Sequence, residues 1–240
     1  MSEPLSVLLI GGSPDDLRCI GEMLRECGRD VELTHCERSG DGLATVVRGG
    51  VDVVLLDFPG SGGVAAFDRL RLAVPDTPII ALTAGSDEHA AHDAMRRGAQ
   101  DYLVRERVDA ELLCRAIRYA VERTRVEVAL RHSEAMYRRL VENLNEGVIA
   151  VDERGLITFA NPRMEEMLGC SAGRLIGLQV AAFIAEPSPG RRNLFCRETD
   201  QRQEFETDFL AAGGGRVHAL VVTSPLVDAD GAFSGCLAGV

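Results

Sequence analysis

From Leu5 onward, short apolar runs alternate with segments whose apolar positions recur every three or four residues. LSVLLI (Leu5 to Ile10) is a continuous apolar run ending in Gly11-Gly12, the pattern of a strand buried on both faces. Ser13 then suits a helix N-cap, Pro14 the first helical position, and Asp15-Asp16 the positive end of the helix. Leu17, Ile20, Leu24 and Cys27 give that helix one apolar face. VELTHC reads as a second strand, followed by a helix from Ser39 to Arg48 that Gly49-Gly50 close. VDVVLLD (Val51 to Asp57) is the most apolar strand and is placed at the centre. A Gly-rich loop and a helix around Val64 to Ala73 come next. TPIIALTA holds the fourth strand, a helix follows Ser86 and is closed by Gly98, DYLV forms a fifth strand, and Asp109 opens a long helix. Five strand–helix units with short connections predict a parallel sheet covered by helices on both faces.

The stretch Leu112 to Leu144 contains no Gly or Pro and is rich in Arg, Glu, Ala and Leu, so nothing in it stops a helix. It carries two offset apolar stripes. Ile117, Val121, Thr124 and Val128 form one; Val126, Leu130, Tyr137, Leu140 and Leu144 form the other. A helix of this length is expected to leave one domain and to pack against a second chain, with Ile117, Val121 and Val128 in the seam of a homodimer. The alternative is two ordinary helices meeting near His132-Ser133.

Beyond this stretch the pattern changes. VIAVD and LITFA flank a turn at Glu153-Arg154-Gly155 as a hairpin. Asn161-Pro162 opens a short helix with Met164, Met167 and Leu168, closed by Gly169. Ala172 to Leu175 is read as a further helical piece, and Leu178 to Gly190, with Pro187 and Pro189, as loop with room for one turn of helix. Three strands close the chain: Gln203 to Leu210, Arg216 to Leu226, and Ala232 to the end. The long helix thus joins two domains of different class, α/β before it and α+β with an antiparallel sheet after it.

A net charge of −11 argues against nucleic acid or an anionic membrane as the main partner. The apolar run near the start is too short for a signal peptide or a membrane span. Cys19, Cys27, Cys36, Cys114, Cys170, Cys196 and Cys236 form no C-x-x-C pair and are expected to be reduced thiols, most of them small core residues, in a cytoplasmic protein.

In an open parallel sheet, functional groups gather at the carboxyl ends of the strands. Those ends are Gly11-Gly12, Asp57, Thr83 and Arg105, a carboxylate, a hydroxyl and a guanidinium suited to an anion such as phosphate. The series VLLI…SPDD, VDVVLLD, PIIALTA and GAQDYLV resembles the receiver domain of two-component response regulators, over residues 1–123. The resemblance implies a flavodoxin-like five-stranded fold with Asp57 as phosphoacceptor, Thr83 as the hydroxyl that contacts the phosphoryl group, and Tyr102 as the aromatic that follows it. Plainer roles remain open: Asp57 paired with Arg105 and doing no chemistry, Thr83 as a residue that suits a strand, Tyr102 packed at the sheet edge. A nucleotide-binding enzyme using Gly11-Gly12 lacks the full G-x-G-x-x-G spacing.

Three departures from that family fall at the site. Gly11 and Gly12 stand where receivers carry the acids that hold magnesium, leaving Asp57 and water for a weak site at best. Asp15 and Asp16 lie too far along to replace those acids and are better explained as helix-capping residues. Arg105 replaces a lysine that it does not match at a tight phosphate site, and the loop FPGSGG is short. The expectation is an atypical receiver without normal magnesium-dependent phosphorylation.

The phrase EGVIAVDERGLITFANPRMEEMLG resembles a PAS domain, over residues 133–240. No haem or flavin is expected there: no His lies between His132 and His218, and Cys196 in NLFCRE lacks the motif of a photoactive cysteine. Cys170 takes the same plain reading, and His132, His89 and His92 are placed at the surface. The chain is thus read as a non-enzymatic signalling module. It comprises a receiver, a linker helix over residues 109–144 and a PAS domain, with a sensor histidine kinase or another signalling protein as partner. The last strand runs to Val240, so the sequence is expected to be a piece of a longer protein.

Overall fold

The computed structural model describes residues 4–28, 30–57, 60–84, 88–185 and 202–240. It divides into two compact units, Met1–His132 and Ser133–Val240.

In the first unit, β1 (Leu5–Ile10), β2 (Val31–Cys36), β3 (Val53–Asp57), β4 (Ile79–Thr83) and β5 (Asp101–Val104) form a parallel sheet in the order β2-β1-β3-β4-β5. The helices α1 (Pro14–Arg25), α2 (Ser39–Val47), α3 (Gly60–Ala73) and α4 (Glu88–Arg96) alternate with the strands, as the sequence predicts. Side chains alternate across the sheet and define two cores. Val7, Leu9, Val53, Leu55, Ile80, Leu82 and Leu103 meet Ile20 and Leu24 of α1. Leu8, Ile10, Val54, Leu56, Ile79 and Ala81 meet Val46, Phe67, Leu70 and Ala94 of α2, α3 and α4. The central strands are buried on both faces, which is why they read as unbroken apolar runs.

The helix α5 (Ala110–Glu142) is continuous, so the alternative of two helices meeting near His132-Ser133 is not what the chain adopts. Asp109 caps it, its Oδ1 accepting from Leu112 N at 2.8 Å. The expected dimer seam needs correction at two of its three residues. Ile117 and Val121 are buried with Leu113, Ala116 and Ala120 in the core shared with α1, Thr124 is buried as well, and Val128 is half-buried. Each large side chain buried this way contributes roughly 1.5–3 kcal/mol to the receiver's own stability. Val126, Leu130, Tyr137, Leu140 and Leu144, the second stripe, are exposed.

A second correction concerns the cysteines. Cys27, just past the end of α1, and Cys114, in the first turns of α5, form a disulfide with a Cα–Cα distance of 5.5 Å. They are 87 residues apart in sequence, and both helices lie against the same face of the sheet, so no local spacing announces the pair. Cys19, Cys36 and Cys170 are free. Cys196 lies outside the described residues, as do Ser86, Pro187, Pro189 and the start of the loop after Asp57.

In the second unit, β6 (Val148–Asp152), β7 (Ile157–Ala160), β8 (Gln203–Leu210), β9 (Arg216–Val227) and β10 (Phe233–Gly239) form an antiparallel sheet in the order β7-β6-β10-β9-β8. One face packs on α6 (Pro162–Leu168) and on the chain beyond it, with Met164, Leu168, Leu175, Val180, Phe205, Phe209 and Val221 in one core. The expected helical piece at Ala172 to Leu175 is a series of turns. The single turn of helix that follows is a 3-10 turn at Val180–Phe183. Gly235, at φ +150°, sits where β10 shifts register, and a Cβ there would lie 2.0 Å from the Val151 carbonyl oxygen.

Asn161 ties this unit together. It is fully buried and makes four hydrogen bonds: Oδ1 accepts from Val148 N (2.8 Å) and Met164 N (3.0 Å), while Nδ2 donates to the carbonyls of Val141 and Glu146 (both 3.0 Å). It is therefore both the N-cap of α6 and the residue that holds the last turn of α5 against β6.

Candidate functional site

The ends of β1, β3, β4 and β5 meet, as the topology requires, and bring Asp57, Arg105, Thr83 and the Gly11-Gly12 turn together. Arg105 follows β5, with its backbone N–H donating to Thr83 O at 2.9 Å. Its Nη2 donates to Asp57 Oδ1, and Gly12 N donates to Asp57 Oδ2 at 3.0 Å. Both oxygens of the candidate phosphoacceptor are thus occupied by donors from its own chain. The plain pairing of Asp57 with Arg105 is the one the structure adopts.

Asp16 caps the helix as the sequence predicts and belongs to this site as well. It completes a capping box with Ser13, accepting from Ser13 N (2.7 Å) and Oγ (2.8 Å). Its Oδ2 also takes Arg105 Nη1 at 3.1 Å, so one guanidinium bridges two carboxylates. Burial alone raises the Asp16 pKa, but the Ser13 hydrogen bonds and the Arg105 charge outweigh it and hold the carboxyl below its ordinary value. The first turn of the helix tips this residue back toward the strand ends; strand ends alone could not reveal it.

Gly11 and Gly12 do more than lack carboxylates. Their φ values are +80° and +82°, and a Cβ on Gly11 would stand 2.9 Å from Asp57 Cβ. The left-handed turn lets the backbone approach Asp57 closely enough for the Gly12 hydrogen bond. His35 supports it, with Nε2 3.0 Å from Gly11 O; the sequence offered no signal for that role.

Thr83 is almost completely buried, and its Oγ1 has no hydrogen-bond partner among the described residues; Arg105 Nε is buried and unpartnered too. Tyr102 is exposed on β5, at the sheet edge.

The residues do not fit a magnesium shell as they stand. The two carboxylates share one fixed guanidinium, which already occupies an oxygen of each, and the positions of the absent acids carry a backbone that side chains rarely adopt. Among the described residues, no group of three or more His, Cys, Asp or Glu side chains could hold a metal ion.

The other singled-out residues lie elsewhere. His89, His92 and His132 are exposed. His218 is exposed on β9, 2.7 Å from Asp208 Oδ1, and that hydrogen bond raises its pKa above the usual imidazole value. Cys170 is half-buried and Cys236 is a buried member of the second unit's core. Among the described residues, no helix is long and apolar enough to cross a membrane.

A receiver-type sheet with an acid at the end of its central strand defines a class of signalling domain, and comparison with known proteins agrees. Residues 7–118 match the response regulator receiver domain, and residues 135–240 match the PAS fold. The chain is a receiver domain followed by a PAS domain, a combination that indicates two-component signal transduction. It is 32% identical over 113 residues to the transcriptional regulatory protein DltR of Streptococcus agalactiae, covering 46% of this chain and 50% of that protein. It is 31% identical over 128 residues to the oxygen regulatory protein NreC of Staphylococcus aureus, covering 52% and 58%. The chain therefore spans about half the length of the curated relatives it matches. Among solved structures it is similar to a response regulator receiver domain protein from Clostridium thermocellum (27% identity, TM-score 0.46, 51% of this chain and 98% of that one). It is also similar to the PAS domain of an HTR-like protein from Haloarcula marismortui (20% identity, TM-score 0.43, 48% and 95%).

Proposed function

We propose that this chain is a cytoplasmic signalling module whose receiver works without normal magnesium-dependent phosphorylation. The observation that carries this reading is the Arg105 bridge. In phosphoryl transfer to a carboxylate, a cation neutralises the donor's oxygens and the nucleophile must be free to attack. Here Asp57 accepts from Arg105 on one oxygen and from Gly12 on the other, and the guanidinium spends its charge on Asp57 and Asp16. The receiver then acts by binding a partner, a sensor histidine kinase or another signalling protein, and passes that state through α5 to the PAS domain. Homodimerisation is part of the proposal, with its seam moved to the exposed stripe Val126, Leu130, Tyr137, Leu140 and Leu144. These positions keep the three-, four- and seven-residue spacing of a helix pair.

A second reading has one observation in its favour. The buried hydroxyl of Thr83 and the Nε of Arg105 both lack partners among the described residues, and a phosphoryl group on Asp57 offers acceptor oxygens to such donors.

Incubating the full chain with acetyl phosphate and magnesium, then mapping modification by mass spectrometry, separates the two. The expected result is no phosphoryl group on Asp57 and no magnesium binding at millimolar concentration. Ready magnesium-dependent phosphorylation at Asp57 overturns the first reading in favour of the second.

A further inference from the structure

We infer that Cys27 and Cys114 form a reversible thiol–disulfide exchange site whose oxidation clamps the start of α5 to α1. Three observations carry it, and none depends on how Asp57 works. The first is position: Cys27 follows the end of α1 and Cys114 lies in the first turns of α5, the helix that continues into the second unit. The second is access. Both residues are half-buried, so a small disulfide or thiol can reach the sulfurs, and the core beneath them is built from other side chains, Ile20, Leu24, Leu113, Ala116 and Ile117. The fold on either side of the pair is therefore packed whether or not the bond is present. Both sulfurs also lie near the Met23 carbonyl oxygen, at 3.8 and 3.9 Å, so reduced thiols have an acceptor where they stand.

The third is selectivity. Cys19, Cys36 and Cys170 are free, and Cys19 is exposed. Exposed and half-buried thiols left free beside this bridged pair, among the described residues, suit a reducing setting in which the pair is arranged to respond.

The chemistry is disulfide exchange with a low-molecular-weight disulfide of the glutathione class, RSSR. One cysteine, as thiolate, attacks RSSR and releases RS⁻, which takes up the proton that cysteine lost, giving a protein–SR mixed disulfide. The second cysteine attacks the protein sulfur of that adduct, the S–SR bond breaks, and a second RSH leaves. Two electrons pass from the protein to RSSR, giving one protein disulfide and two RSH; excess RSH runs the sequence backwards. In the oxidised form α5 cannot separate from α1 at Cys114. In the reduced form apolar packing and the hydrogen bond from the Cys114 thiol to the Met23 carbonyl hold it, with no covalent tie.

The test equilibrates the full chain in glutathione buffers of varied ratio, maps each cysteine by alkylation and mass spectrometry, and follows hydrogen exchange. The expected result is a reversible Cys27–Cys114 bond, with amides at the start of α5 exchanging on the order of tenfold slower when it is closed. C27S and C114S should each exchange like the reduced protein at every ratio; if either fails to fold, the reduced and oxidised wild-type protein alone give the comparison. The inference is overturned by a pair that stays as thiols in excess oxidised glutathione, or by a bond that excess reduced glutathione cannot open. It is equally overturned by pairing with another cysteine such as Cys196, or by identical exchange in α5 in both states.

Discussion

Removing the guanidinium of Arg105 gives the most direct view of what it does. In Arg105→Ala, Asp57 keeps the Gly12 N–H and Asp16 keeps Ser13, but the cation between them is gone. Two charge-assisted hydrogen bonds are lost, each worth about 1.5–3 kcal/mol when sheltered. The side chains involved keep between 15% and 28% of their exposure, so water screens part of that, and two carboxylates are left facing one another. The receiver should lose about 2–3 kcal/mol near pH 7.

The pH dependence carries a sign. The folded-state pKa of Asp16 is lowered, so its contribution is present above the unfolded value and disappears as pH falls through the folded value. The deficit of Arg105→Ala should therefore be largest near neutrality and shrink in acid as Asp16 protonates. Denaturant-dependent hydrogen exchange of peptides from β1 to β5 measures this in the full chain without mixing in the second unit. A variant within about 0.5 kcal/mol of wild type at pH 7, or one whose deficit grows in acid, refutes the bridging role.

Three further outcomes follow from the same geometry. Gly11→Glu with Gly12→Asp, which restores the absent acids, should destabilise the receiver by about 2 kcal/mol or more, because both positions are left-handed and the first Cβ crowds Asp57; urea titration checks this, and a stable variant that binds magnesium contradicts it. Asn161→Ala removes four buried hydrogen bonds and should cost the second unit about 3–5 kcal/mol, read as a lower denaturation midpoint, whereas Asn161→Asp keeps the two accepted bonds but sets a buried carboxylate oxygen against the Val141 and Glu146 carbonyls and should lower the midpoint as well. Charges at Leu130 and Leu140 should give monomers in light scattering with the receiver intact, whereas a charge at Val121 should unfold the receiver first; wild-type protein that is monomeric at micromolar concentration removes the dimer from the proposal.

Much of this architecture was legible along the chain because the central strands of the receiver are buried on both faces and its helices carry apolar faces. The pairing of Asp57 with Arg105 followed from the same logic, since both stand at the carboxyl ends of strands in one parallel sheet, with only β4 between them. Asp16 escaped it, because a helix cap is recognised by its neighbours in sequence and gives no sign of a partner 89 residues away. Cys27 and Cys114 were hidden for the same reason. The two stripes of α5 were visible, but a stripe does not say what covers it: the sheet had already taken Ile117 and Val121. The turns after Gly169 resembled a helix only because Ala, Arg and Leu are permissive there.

In the proposed relay, Asn161 sets a threshold for what α5 transmits. Its amide reads the carbonyls of Val141 and Glu146 with one end and the amides of Val148 and Met164 with the other, all at 2.8–3.0 Å. Hydrogen bonds of this kind tolerate only a few tenths of an ångström before they weaken steeply. Movements of the helix end smaller than that are absorbed as thermal noise. A larger one breaks bonds on both sides of one buried side chain together, so in the proposed relay the PAS domain responds to helix displacement as a detent does, in a step and without a graded lean.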